Sequence, residues 1–161
     1  MALLAILPLP ASAAHDPRSM IIPSEAIGPF RLGMAPGQVR AVKRSAPCNV
    51  DAAFEQGRVT RLETNCGGAY TTIDRITVGM EPNRILQIFG TADRVTNSTF
   101  ANTEARWLHY TRYGIAFRIV YGTPGNALIQ AIAVFPCVRC VKIPKGPAPQ
   151  PAPLPPPDFG D

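Results

Sequence analysis

Four cysteines, Cys48, Cys66, Cys137 and Cys140, carry the most reactive chemistry in this chain. Thiols at such spacings serve as structural disulfides, as a thiol-redox pair or as zinc ligands. Segments 49–54 and 58–64 read as two strands around a turn at Glu55-Gln56-Gly57. Folding that hairpin about Gln56 brings Cys48 near Thr64, two residues from Cys66, so a bulge or a flared end completes a Cys48–Cys66 bridge. The remaining pair is then a local Cys-Val-Arg-Cys bridge between Cys137 and Cys140. A redox pair ordinarily sits at a helix start, where the thiolate is stabilised, whereas this one follows a strand and precedes a proline tail. Zinc would recruit all four thiols in a reducing compartment. The pattern favours two structural disulfides, with redox chemistry and zinc ligation as the alternatives.

Other reactive groups are sparse. His15 and His109 are the two histidines, and neither Ser nor Cys has a His partner with an orienting acid. The eleven acidic residues form no D-x-D, H-x-x-E or E-x-x-H pattern, and Gly33 and Gly79 stand alone rather than forming a phosphate cradle. The sequence therefore points to no catalytic residue, metal or cofactor. A binding surface is better supported. Trp107, Tyr110, Arg112, Tyr113 and Arg118 gather in and around two adjacent strand-like segments, and aromatics beside arginines are the composition of an interface hot spot. Trp107 and Tyr110 have opposite parity on one strand, so one of them faces away from whatever covers the other.

The chain has 161 residues, 46% of them apolar, which is enough for one domain with a real core. Its formal charge is +5, with Arg40, Lys43, Arg44, Arg58 and Arg61 making the first half basic. That balance favours acidic partners. A nucleic-acid partner is not expected, because there is no Lys/Arg run, no aromatic RNA-stacking motif and no zinc finger. Residues 1–14 read as an export signal with an Ala11-Ser12-Ala13 cleavage site, although no Lys or Arg precedes Arg18. That apolar run is too short and proline-broken to span a bilayer. Residues 143–161 form a proline-rich tail from which no core can be built.

One pattern organises what lies between. Residues 27–42, IGPFRLGMAPGQVRAV, recur as 73–88, IDRITVGMEPNRILQI. At an offset of 46 residues Ile27/Ile73, Gly33/Gly79, Met34/Met80 and Pro36/Pro82 are identical, and four further pairs exchange one apolar residue for another. After a polar lead-in over 15–26, the pattern predicts an extended segment at 27–32, a helix over 36–45 and the hairpin at 48–65. A second helix follows at 82–89, closed by Gly90. Residues 91–104 read as a polar loop or irregular strand. Strands follow at 106–113 and 115–121, then a turn at 122–126 and a last strand at 127–135. The expected fold is α+β: two helix-plus-hairpin repeats (27–72 and 73–142) with helices packed on one face of an antiparallel sheet.

The stretch Leu32-Gly33-Met34 with Val39, Val78-Gly79-Met80 with Ile85, Phe89-Gly90, Trp107 with Tyr110, Gly114-Ile115-Ala116-Phe117 and 132–134 resembles the beta-lactamase-inhibitor-like (BLIP-like) fold, shared by the SmpA/OmlA outer-membrane assembly lipoproteins. The resemblance covers about residues 27–136. It implies helix pairs on an antiparallel sheet with an exposed sheet face that binds another protein. No lipobox cysteine accompanies it, and inhibitor activity does not follow from the fold. The expected function is that of a periplasmic or secreted, non-enzymatic module that binds another exported or envelope protein. The alternatives are an envelope scaffold held by its basic surface and tail, and a thiol-redox protein using Cys137 and Cys140.

Overall fold

Strand far outweighs helix among the described residues. The computed structural model describes residues 16–122, 126–137 and 139–143. The expected signal segment, nearly all of the proline tail and the centre of the 122–126 turn lie outside the described residues. A 3-10 turn at Pro17–Ser19 leads into β1 (Met20–Ile22), β2 (Ala26–Ile27) and β3 (Phe30–Arg31). Helix α1 (Pro36–Lys43) precedes β4 (Asp51–Glu55), β5 (Arg58–Thr64) and β6 (Thr71–Thr72). Helix α2 (Asn83–Phe89) precedes β7 (Arg94–Phe100), β8 (Thr103–Tyr110), β9 (Ile115–Tyr121) and β10 (Ala127–Val134). The large sheet is antiparallel throughout, in the order β4-β5-β10-β9-β8-β7, and a smaller sheet runs β3-β2-β1-β6 with β1 and β6 parallel.

This architecture corrects the α+β expectation of two helix-plus-hairpin repeats. The fold is mostly β, with a curled six-stranded sheet and a second sheet. Its helices have only eight and seven residues, too short to hold together in water without packing. The second Gly-Met segment is followed by the four strands β7 to β10 and the first by the β4–β5 hairpin and β6, so the two segments do not head copies of one helix-plus-hairpin unit. Residues 94–100, polar enough to read as loop, form the edge strand β7, where neither face needs to be apolar. The lead-in likewise contains β1, an interior strand of the small sheet.

The Gly-Met segments nonetheless do the same local work. Gly33 N–H donates to the Val59 carbonyl at 2.8 Å, and Val59 N–H donates to the Met34 carbonyl at 3.0 Å. Gly79 and Met80 exchange the equivalent pair with Ile129, at 2.8 Å each. Each segment thus clips the start of a helix to a strand of the large sheet. Phe30 and Ile76 are buried alike, as are Val39 and Ile85, but Ile27 is buried while Ile73 is 65% exposed, so the equivalence stops before the clip. Behind the clips α1, α2 and the small sheet share one apolar core with Leu62, Tyr110, Ile115, Phe117 and Ile132 of the large sheet. Fully burying each such side chain stabilises the fold by about 1.5–3 kcal/mol.

The cysteines pair as Cys48 with Cys66 and Cys137 with Cys140, with Cα separations of 6.3 and 5.3 Å. Two such pairs fit an oxidising compartment. The Tyr70 hydroxyl donates to the Cys48 carbonyl at 2.8 Å, fastening the first cystine to the core. No described helix is long and apolar enough to cross a membrane.

Gly57 and Gly114 both join strands at positive φ, +73° and +68°. A Cβ at Gly57 would meet open space, whereas one at Gly114 would lie 2.4 Å from the Phe135 carbonyl oxygen and 2.7 Å from Ser24 Cβ. Urea unfolding should therefore show Gly57→Ala costing about 1 kcal/mol and Gly114→Ala at least about 3 kcal/mol. Equal losses would mean that the Ser24–Gly114 approach is not a feature of the folded protein.

Candidate functional site

Alternation along the strands gives the large sheet two faces, and only one of them holds the apolar core. Cross-strand register puts Thr96, Trp107, Arg118 and Ala131 in one row of the other face, with Arg94, His109, Ala116, Ala133 and Glu63 in the next. The centre of this face is built from small residues. Ala105, Ala116, Ala131 and Ala133 are fully buried, beneath long side chains of the sheet itself.

Those side chains form one connected layer. The Arg61 guanidinium lies 4.7 Å from the centre of the Trp107 ring, and the Arg118 guanidinium lies 5.1 Å from the same ring. Two cations thus contact the indole of one tryptophan, an arrangement its ring quadrupole favours. Arg118 also lies 5.4 Å from the Phe100 ring and donates from Nε to Gln130 Oε1. Glu63 joins both cations, with Oε2 3.2 Å from Arg61 and Oε1 3.4 Å from Arg118. Arg61 belongs to β5 and Trp107 to β8, with β10 and β9 between them. Neighbouring strands lie about 4.8 Å apart, so this contact needs a curled sheet, a long side chain and a low floor between. The alanines are that floor.

His109 completes the layer. Its Nε2 lies 2.9 Å from Thr96 Oγ1. Burial, then the charges of Arg94 and Arg61, hold its pKa below the ordinary value of 6.5, so the imidazole is neutral at neutral pH. The face therefore carries Arg61, Arg94 and Arg118 against the carboxylates of Glu63 and of Asp51, its cross-strand partner on β4. Beside it Phe100 and Leu128 are 40% and 41% exposed, and with Val120 and Gln130 they line an apolar groove of about 410 Å³.

The five residues expected to form a binding surface divide between two places. Trp107 and Arg118 stand together on this face. Tyr110 faces the opposite way and is fully buried among Phe89 and Phe117, its ring centroid 5.3 Å from Phe89. Its hydroxyl donates to the Gly90 carbonyl at 3.0 Å, and burial pushes its pKa up to about 12. Tyr113 is also buried, edge-on to Phe89. Arg112 donates to the carbonyls of Thr91 at 2.7 Å and Phe89 at 3.4 Å, and pairs with Asp93 at 3.3 Å. A cation there complements the C-terminal end of α2, so Arg112 anchors a helix. Sequence reasoning overlooked Arg61, Glu63, Phe100 and Arg94. It also gave His109 no role beyond noting that it has no catalytic partner.

Two measurements separate the face from the core. Tyr110→Ala should cost about 3–5 kcal/mol in urea unfolding, and Trp107→Ala no more than about 1 kcal/mol. A Trp107→Ala loss as large as that of Tyr110→Ala would make Trp107 a core residue. His109 gives a pH signature whose sign is fixed. Its folded pKa is lowered, so the unfolded chain takes up the proton first as pH falls through about 6.5. The unfolding midpoint should drop from about pH 7 to about pH 5, and His109→Gln should flatten that part of the curve. An unchanged slope in the variant would assign the dependence elsewhere.

No family model matches the chain, and neither a curated protein nor a solved structure matches it.

Proposed function

We propose that this chain is an exported, non-enzymatic protein-binding module whose sheet face receives an acidic, partly apolar surface of another secreted or envelope-associated protein. The observation that carries the reading is Trp107 contacted by Arg61 and Arg118 on a face where every partner of these side chains comes from the sheet itself. Three arginines against two carboxylates, Glu63 and Asp51, leave the face in positive excess, which favours an anionic partner. An aromatic anchor among arginines, bordered by exposed Phe100 and Leu128, supplies the apolar contact area that hot spots require. The half-buried guanidinium of Arg118, with 18% of its side chain exposed, is already ordered and loses little freedom on binding. Binding through an exposed sheet face is also what the BLIP-like resemblance implies. Two cysteine pairs and the signal-like residues 1–14 support export to the periplasm or beyond.

Trp107 is the single tryptophan of the chain, so its fluorescence reports on this face alone. Titration with a synthetic peptide alternating Glu and Leu should give a saturable change in emission. The double variant Arg61→Gln/Arg118→Gln should weaken binding at least about tenfold. Added salt should lower the affinity without abolishing it, because part of the contact is apolar. Binding unaffected by the double variant, or a preference for a Lys-Leu peptide, would overturn the reading.

A further inference from the structure

The second cystine lies at the other end of the strands, after β10, and its two sulfurs have different surroundings. Cys140 is exposed and Cys137 is half-buried. Ser24 meets Cys137 twice: its Oγ accepts from the Cys137 backbone N–H at 3.1 Å, and its hydroxyl donates to Cys137 Sγ at 3.1 Å. The two contacts are complementary. The amide can only donate, so the serine proton is left for the sulfur.

The backbone is shaped around this contact. Ser24 stands at φ +61°, a left-handed conformation rare for a residue with a side chain. Its N–H donates to the Gly114 carbonyl at 3.1 Å, and Glu25 N–H donates to the Ile22 carbonyl at 3.1 Å, closing the turn. Ser24 approaches that closely only because residue 114 lacks a Cβ. A strained serine and an obligatory glycine, far apart in sequence, together put one hydroxyl proton on one sulfur. A hydrogen bond to a neutral cystine sulfur is weak, whereas one to a thiolate is charge-assisted and markedly stronger. The arrangement therefore favours the state in which Cys137 carries charge.

We propose that Cys137 and Cys140 form a thiol–disulfide exchange site in which Cys140 receives the incoming thiolate and Cys137 leaves. The co-reactant is a dithiol protein of the same oxidising compartment. Its thiolate attacks Cys140 Sγ; the intermolecular S–S bond forms as the bond between Cys137 and Cys140 breaks. The electron pair of that bond leaves on Cys137 Sγ, which the Ser24 hydroxyl stabilises. The partner's second thiolate then attacks its own sulfur in the mixed disulfide and expels Cys140 as thiolate. The partner loses two electrons and becomes a disulfide, this chain gains two, and the two protons of the partner's thiols pass through solvent to Cys137 and Cys140. Arg139 and Lys142 flank Cys140 in the chain and favour thiolate on either sulfur. A cleft of about 570 Å³ beside the cystine, lined in part by Ile22, Pro23 and Tyr113, gives the partner room. Ser24 here occupies the role that a helix start fills in other redox pairs. This site is separate from the sheet face and stands or falls without it.

The chain carries its own control in the cystine of Cys48 and Cys66. Equilibration of the full chain in graded glutathione buffers, followed by alkylation and peptide mapping, reads each pair separately. The pair of Cys137 and Cys140 should be half-reduced in a buffer that leaves Cys48 and Cys66 oxidised. Ser24→Gly removes the hydroxyl at a position whose φ glycine accepts. It should make the second pair harder to reduce by about tenfold in equilibrium constant, about 30 mV for a two-electron couple. Reduced glutathione added to the oxidised full chain and quenched with acid should be found by peptide mapping as a mixed disulfide on Cys140, at least about tenfold over Cys137. Reduction of both cystines in the same buffer, no effect of Ser24→Gly, or glutathione carried mainly by Cys137 would overturn the proposal.

Discussion

The two backbone clips decide what the rest of the molecule is free to do. A strand carbonyl and amide left without partners inside a protein cost as much as a lost hydrogen bond. Val59 and Ile129 meet that demand through Gly33-Met34 and Gly79-Met80 rather than through a neighbouring strand. The same contacts place α1 and α2 over the core face. Because both helices are too short to persist alone, their position is set by the clip and by Val39, Ile85 and Phe89 rather than by helix propensity. The buried core of large apolar side chains is drawn to one side of the large sheet.

On the other side, packing is done by charge and aromatic surface. A lone Arg118 above an alanine floor would be a half-buried cation with unsatisfied donors. Glu63, Gln130 and the rings of Trp107 and Phe100 each take part of that demand. Such pairs contribute little net stability when exposed, because solvent screens them. Their value lies in order: long side chains held by several partners present a fixed pattern of charge. The neutral state of His109 belongs to the same balance, since a further positive charge between Arg94 and Arg61 would work against it.

The parts legible in the sequence were those set by local pattern. The hairpin and its Cys48–Cys66 bridge followed from one turn and two alternating runs, and β9 and β10 from dense Ile, Val and Ala. Strand β7 was left between polar loop and irregular strand because an edge strand of Thr, Asn and Ser carries no apolar alternation. Strand β1 escaped because three residues are too few for a period to show. The whole-fold expectation failed because a repeated clip is not a repeated domain. At the site, parity correctly separated Trp107 from Tyr110 but could not say which arginine would meet the ring. That depends on β5 pairing with β10, a long-range choice. The alternating Ala131 and Ala133 of the last strand were the available signal: two small residues on one face ask what passes over them. Arg112 and Tyr113 were misassigned because their partners belong to a helix terminus some twenty residues earlier.

The pairing of β5 with β10 also orders events in time. A chain emerging from a ribosome or a translocation pore can close the β4–β5 hairpin early, since the turn at Gln56-Gly57 and both strands are contiguous. Leu62 then waits, its apolar surface wet, until Val134 has been delivered opposite it. Ser24 waits equally for Gly114 and Phe135. The hairpin of β4 and β5 is cemented to the sheet only by β10, so whatever guards the nascent polypeptide must guard it until residues 127–134 have emerged.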